Sequence, residues 1–265
     1  MKVKLISYTR PCIDLIEEQI VTPVDLISFC ARVSNPANQH NTDTSEKLLK
    51  YLIKNKHWSP LEMVDVTLEI ETTRDIARQI LRHRSFTFQE FSQRYAVADI
   101  GYEFRDARLQ DTKNRQNSIE TNDDQLNNNW LNYQQKVLDA TKEAYDWAIS
   151  NGIAKEVARA VLPEGMTLSR MYMKGSLRSW IHYIELRSGN GTQKEHREIA
   201  FEIKNTLKDL FPETFKALEL QVSHQVFMFS KVKQDIVNKI LSKNRTKEPK
   251  AKQVFAIVTG TYVGE

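Results

Sequence analysis

The chain has 265 residues and a formal net charge of +4, enough length to bury a sizeable core in one domain or two small ones. Hydrophobic residues at 40% and charged residues at 27% exclude an intrinsically disordered chain, and no apolar run reaches the roughly 18 residues of a membrane span. The small positive surplus favours anionic ligands but is too weak to indicate nucleic acid by itself. Cys12 and Cys30 form neither a disulfide framework nor a metal-binding pair, so no metal site is expected. The N-terminal apolar run is too short for a signal peptide, and a reducing cytoplasm is the expected compartment.

In chain order, residues 2–8 read as a strand, and 24–33 and 45–56 as helices, the second opened by an Asp43-x-x-Glu46 capping box. Over 63–71, Val64, Val66, Leu68 and Ile70 alternate with Asp65, Thr67, Glu69 and Glu71, which predicts a half-buried strand. A helix over 73–83 follows, with Ile76, Ala77, Ile80 and Leu81 on one face. The asparagine-rich stretch 106–130 reads as an exposed loop. Next come a long helix over 130–150 ended by Gly152, a shorter one over 153–162 stopped by Pro163, and a strand over 167–174. Helix 176–187 carries a stripe of Leu177, Trp180, Ile181 and Ile184, and helix 192–210 follows. The basic stretch Lys231–Lys252 reads as a solvated helix and loop, and 254–263 as a docking strand. This divides the chain into a main domain, 1–225, and a basic extension, 226–265.

Chemistry concentrates in residues 78–95. Arg74, Arg78 and Arg82 recur every four residues, with Asp75, Gln79 and His83 in the adjacent row and Arg84 just beyond. Few carboxylates lie within helical reach, so these cations suit an anion such as a phosphate, which guanidinium groups bind in pairs. Gln89, Glu90, Ser92, Gln93, Arg94 and Tyr95 then mix acceptors, donors and a cation, as a nucleotide requires. These residues alone leave open a nucleotide enzyme, an RNA-binding surface or an ordinary solvated basic face.

Arg82-His83-Arg84, seven residues and then Ser92, with Thr87, Glu90, Arg94 and Tyr95 at their spacing, resembles the RHR-x7-S signature of flavin-dependent thymidylate synthases. ARVSNP (31–36), HWSP (57–60), EVARAVLP (156–163) and SLRSWIHYIELR (176–187) resemble that family's segments in the same order, so the likeness covers about residues 1–220. The resemblance implies an α+β fold, a sheet packed with long helices, which is not a Rossmann fold. It implies a homotetramer whose active sites draw residues from several subunits. The implied reaction is reductive methylation of dUMP to dTMP, with methylenetetrahydrofolate as carbon donor and NADPH-reduced FAD as hydride source. Neither nucleic acid nor a membrane is an implied partner.

By the same resemblance, FAD would be held by His57, Ser59, Arg82, His83, Arg84, Glu90, Ser176, Leu177, Arg178 and His182. The substrate dUMP would meet Gln79, Arg82, Glu90, Phe91, Ser92, Gln93, Arg94, Arg159 and Arg187. Arg187 would stabilise the ionised uracil, and Ser92 would polarise rather than attack, since no base partner is evident. No cysteine nucleophile is implied. The sequence departs from the family's habit at Gln89, where asparagine is common, and at Gln93, usually a small residue, so that only its backbone is expected to serve. His182 stands where asparagine is common, and a histidine usual near the start of the 190s helix is replaced within Asn190–Gln193.

Overall fold

The computed structural model describes residues 1–218; the expected basic extension and its terminal strand lie outside the described residues. The fold mixes helix and sheet. Strand β1 (Lys2–Tyr8) is followed by helices α1 (Ile13–Glu17), α2 (Pro23–Ala31) and α3 (Ser45–Lys54). Strand β2 (Asp65–Thr73) runs directly into α4 (Arg74–Ile80), and β3 (Thr87–Glu90) follows. The short strands β4 (Arg108–Gln110) and β5 (Ser118–Glu120) precede α5 (Asp124–Ser150) and α6 (Lys155–Ala158). Strand β6 (Leu168–Ser176) passes straight into α7 (Leu177–Arg187), and α8 (Lys194–Leu210) and α9 (Pro212–Leu218) complete the described chain.

Four strands form one antiparallel sheet in the order β1-β2-β6-β3. Period-two alternation sends Val66, Leu68 and Ile70 of β2, with Met171 and Met173 of β6, to one buried face. Trp180, Ile181 and Ile184 of α7, Ile199, Ile203 and Leu207 of α8, and Ile76, Ala77 and Ile80 of α4 pack on that face. On the other face, cross-strand ion pairs join Arg170 to Glu71 at 2.8 Å and Lys174 to Asp65 at 2.9 Å. Trp180 donates its indole N–H to Val66 O at 3.1 Å, which fixes α7 against the central strand.

Several local expectations are corrected. The capping box belongs to α2, not α3: Thr22 Oγ1 accepts from the Asp25 N–H while Asp25 accepts from the Thr22 N–H. At α3 the N-cap is Thr44, with no side-chain cap bond, and its hydroxyl accepts instead from Arg32. Helix α4 stops at Ile80, three residues short of expectation, because the His83 N–H tightens onto Ile80 O and the chain then turns to pair β3 with β6. Arg82, His83 and Arg84 therefore lie in a turn. Within 106–130 the chain forms the β4–β5 hairpin and then the first turns of α5, where Asp123 accepts from the Leu126 N–H.

Helix α5 carries two stripes. Gln134, Leu138, Thr141, Tyr145 and Ala148 face the protein. Leu126, Trp130, Tyr133, Val137, Ala140, Ala144 and Trp147, spaced alternately four and three apart, form a second apolar stripe, with Tyr133 and Trp147 about 60% exposed (62% and 60%). No helix among the described residues is long and apolar enough to cross a membrane.

Strand β6 meets α7 beneath the Phe86 ring, and only a glycine fits there. A Cβ at Gly175 would lie 2.4 Å from Phe86 Cδ1, and Phe86 is buried with its ring centroid 4.7 Å from that of Trp180. Gly175→Ala should therefore destabilise the protein by about 1–3 kcal/mol through overpacking. Gly191→Ala, whose Cβ would meet nothing within 4 Å, should stay within about 0.5 kcal/mol of wild type. Denaturant titration of the two variants side by side makes the comparison, and equal midpoints would overturn it.

Candidate active site

Arg187 ends α7, where a cation complements the helix dipole. Its Nε donates to His83 Nε2 at 2.9 Å, which ties α7 to the turn after α4. To accept at Nε2, His83 must be neutral with its proton on Nδ1. Burial, and then the Arg187 charge, lower its pKa to about 4. The His83 ring stands edge-on to Tyr183 at 4.8 Å and to Phe86 at 6.3 Å. Arg82 and Arg84 flank it, both exposed. None of Arg82, Arg84 or Arg187 forms an ion pair among the described residues.

The other arginines of α4 are neutralised from afar. Arg74 pairs with Glu90 at 3.5 Å and Arg78 with Glu164. The expectation that few carboxylates reach this helix holds only along the sequence, since the partners arrive from β3 and from the turn before β6. Asp75 is held by Arg105 at 2.8 Å and by Thr73 Oγ1 at 2.6 Å, and these outweigh burial to keep its carboxyl below the ordinary range.

Gln79, on the last turn of α4, joins a buried polar chain. Tyr183 Oη lies 2.9 Å from His196 Nε2, His196 Nδ1 lies 3.2 Å from Gln79 Oε1, and Gln79 Nε2 donates to Gln193 Oε1 at 2.7 Å. Gln193 Nε2 then donates to Glu195 at 2.9 Å, and Arg108 donates to the same carboxylate. Burial, Arg187 and His83 lower the His196 pKa to about 3, and burial raises that of Tyr183. Burial alone would raise the Glu195 carboxyl, but a backbone hydrogen bond, Arg108 and Arg105 hold it below the ordinary range.

A second group forms around the segment after β3. Glu90 accepts from Ser169 Oγ at 2.8 Å, and the Phe91 N–H donates to Arg170 O at 2.8 Å. Ser92 O accepts from the N–H groups of Tyr95 and Ala96, closing a turn. The N–H groups of Ser92, Gln93 and Arg94 make no hydrogen bond among the described residues, the arrangement of an anion-binding backbone nest. Arg94 Nε lies 3.5 Å from the Glu156 carboxylate, and Arg159 Nε donates to the Glu156 backbone O at 3.3 Å, so both arginines reach the same residue. The Gln93 side chain is only 4% exposed, and its Nε2 has no partner among the described residues. Beside the backbone expected to serve, position 93 thus also carries a buried donor.

The third group surrounds the start of α7. Helix α3 ends through Lys56 at φ 57°, and the His57 N–H bonds to Leu52 O at 2.8 Å, leaving the His57 side chain exposed beside Tyr51. Ser59 opens the short 3-10 turn 59–63. Glu62 of that turn pairs with Arg178, whose hydrogen bond, against burial, lowers the Glu62 carboxyl. His182 stands edge-on to Trp58 at 4.9 Å. Arg178 Nε is buried without a partner among the described residues. Ser176 caps α7 by accepting from the Ser179 N–H, and Leu177 packs wholly in the core with its N–H on Val64 O.

The protomer thus sorts the expected residues into three groups: Gln79 with Arg82, His83, Arg84 and Arg187; Glu90–Arg94 with Arg159; and His57, Ser59, Ser176–Arg178 and His182. Among the described residues no hydrogen bond or ion pair joins the first two groups. Ser92 is five residues beyond the start of β3, about 17 Å along an extended chain. Sequence reasoning missed Tyr183, His196, Gln193 and Glu195. A signal existed for His196, which shares the buried stripe of Ile199, Ile203 and Leu207 on α8. Cys12 is exposed at the start of α1; Cys30 is half-buried, and burial raises its pKa.

The two imidazoles give a pH signature. Both folded pKa values lie below the ordinary 6.5, at about 4 and about 3, so the unfolded chain is the better proton binder once pH falls through 6.5. Their stability contribution is full above that value and is lost on acidification. Between about pH 7.5 and about pH 5.5 the carboxylates of Asp75, Glu62 and Glu195 are ionised folded or unfolded and add no slope. The melting temperature should fall across this window, and His196→Asn should remove roughly half of the fall. A flat profile in wild-type protein would contradict both assignments.

A family described as "Thymidylate synthase complementing protein" matches residues 15–213. The flavin-dependent thymidylate synthase of Synechocystis sp. is 51% identical over 220 residues, spanning 83% of this chain and 100% of that one. The flavin-dependent thymidylate synthase of Kosmotoga olearia is 31% identical over 188 residues, 71% of this chain and 81% of that one. Among solved structures, the UMP/dUMP methylase PolB of Streptomyces cacaoi, bound with 5-Br dUMP, superposes with a TM-score of 0.70 at 23% identity, over 82% of this chain and 94% of its own, which supports the likeness of fold. The chain belongs to the flavin-dependent thymidylate synthases.

Proposed function

We propose that this enzyme methylates dUMP with methylenetetrahydrofolate as carbon donor and NADPH as the source of reducing equivalents, and that Arg187 activates the uracil. The observation that carries this reading is the Arg187–His83 contact. A guanidinium paired with a neutral imidazole keeps its charge available, whereas one on a carboxylate is already quenched. That charge stabilises an anion developing on a base beside it.

FAD fits the residues present. Among the described residues Arg82 and Arg84 are cations without carboxylates, and Arg178 Nε is a buried donor with no acceptor. His57, Ser59, Glu90, Ser176 and His182 complete the proposed flavin set, with Leu177 holding the start of α7. When bound, the flavin supplies hydride chemistry. The protein holds and orients. The open N–H groups of Ser92, Gln93 and Arg94, with the Arg94 and Arg159 guanidiniums, would take the dUMP phosphate, with Phe91 and Gln79 beside the nucleotide. No basic side chain bonds to Ser92 Oγ among the described residues, which supports a binding role over a nucleophilic one.

The proposed assembly is a homotetramer whose sites combine groups from different copies. Its support is that no hydrogen bond or ion pair joins the first two groups among the described residues, together with the exposed apolar stripe of α5, whose occupant we take to be a second copy. A heptad-spaced apolar face of this length is a self-association surface.

Two experiments test these readings. Arg187→Ala should lower dTMP formation by about 10²–10³-fold and weaken dUMP binding, yet keep FAD and its reduction by NADPH. Stopped-flow absorbance beside a dTMP assay separates the steps. Loss of flavin with normal dUMP affinity would assign Arg187 to the cofactor instead. Replacing Trp130 and Val137 together by Glu should lower the mass in solution and the FAD content. Light scattering that shows an unchanged assembly would remove α5 from the interface.

A further inference from the structure

The buried chain through Gln79 has a direction, and one residue sets it. A carboxylate only accepts hydrogen bonds and an arginine only donates them. Glu195 is 6% exposed and accepts from Arg108 on Oε1 and from Gln193 on Oε2. Gln193 must therefore turn its NH2 toward Glu195 and its carbonyl toward Gln79. Gln79 must then turn its NH2 toward Gln193 and its carbonyl toward His196. His196 answers with a proton on Nδ1, and its bare Nε2 accepts from the Tyr183 hydroxyl. Reversing any one link opposes two donors or two acceptors in a buried place, so the carboxylate fixes the polarity of every link.

Among the described residues Gln79 is left with one N–H and one carbonyl lone pair uncommitted. Exchanging its oxygen and nitrogen would exchange the places of that donor and that acceptor. We infer that Glu195 is a positioning residue for the substrate: acting through Gln193, it holds the Gln79 carboxamide in one of its two orientations and so sets the polarity of the hydrogen bond that Gln79 offers to dUMP. This rests on the proposed contact between Gln79 and the nucleotide. A site built for one hydrogen-bond polarity discriminates strongly against the other, because the mismatched group is left unpaired.

Glu195→Gln tests this through a reversal that a merely structural role does not predict. Arg108 keeps the new amide oxygen on its own side, which turns the new NH2 toward Gln193. Gln193 must flip, Gln79 must flip after it, and the His196 proton must move from Nδ1 to Nε2. Adding Gln193→Glu returns an acceptor to Gln79 and restores the original direction. Solid-state 15N spectra of histidine-labelled holoenzyme, with His196 assigned by its loss in His196→Asn, read the tautomer. Steady-state kinetics read the KM for dUMP, and absorbance reads the FAD content.

Glu195→Gln should move the His196 proton and raise the dUMP KM about tenfold, roughly 1.4 kcal/mol, with kcat and FAD content changed less than about twofold. The double variant should reverse both effects. Should Glu195→Gln fail to fold, Gln193→Met breaks the same link, leaves the Glu195–Arg108 pair intact and should raise the dUMP KM by a similar factor. An unmoved His196 proton, an unchanged KM, or a folded double variant without rescue overturns the inference. Wild-type protein that does not bind dUMP overturns the functional reading and the nucleotide half of the inference together. Wild-type binding with an unaltered single variant overturns the inference alone.

Discussion

The hydrogen bond from Arg187 to His83 makes demands on much of the fold around it. The imidazole has to be neutral to accept, and its burial beside the rings of Tyr183 and Phe86 favours that form. Phe86 lies there because Gly175 leaves room where β6 turns into α7. The turn that carries His83 exists because α4 ends at Ile80 and β3 then pairs with β6. A guanidinium held this way has lost part of its hydration without gaining a counter-ion among the described residues, a condition that favours an incoming anion. Strand pairing, helix length and a missing Cβ thus converge on one unquenched cation.

Neighbouring arginines show the contrast. Arg74, Arg78, Arg105 and Arg178 each reach a carboxylate from another element. Pairs of this kind hold elements together and present little net charge outward. Arg82, Arg84 and Arg187 have no such partner among the described residues, and two of the three belong to the RHR turn. The sorting of quenched from unquenched cations depends on contacts between residues far apart in sequence.

That dependence explains what was legible beforehand. The alternation along β2 and the stripe on α7 follow from one buried face apiece, so periodicity alone predicts them, and the structure places both within two residues of expectation. The end of α4 was not legible, because Leu81–His83 continue the helical pattern and only the pairing of 87–90 with a strand more than eighty residues later stops it. Nor was the α5 start, since asparagines read as breakers although the Asp123 cap offsets their weak preference. The capping box at 43–46 fails because Arg32 reaches across and engages Thr44. Site residue types were legible from the RHR-x7-S spacing. Their division into three groups was not, and neither was the polar chain behind Gln79, whose members come from three separate helices and the segment before α8.

The division has an electrostatic logic. Two unit charges 4 Å apart repel by about 4 kcal/mol near a protein surface, at an effective dielectric constant of about 20. One protomer pocket holding Arg82, Arg84, Arg94, Arg159, Arg178 and Arg187 at such distances would oppose its own folding. The fold avoids this by keeping Arg94 and Arg159 beside Glu156, Arg178 beside Glu62, and Arg82, Arg84 and Arg187 around a neutral ring. In the proposed assembly the groups meet only when copies associate, and the anionic ligands then lie between the cations and offset their repulsion. On that proposal, the density of positive charge that the anionic ligands call for arises in the assembly and not within one copy.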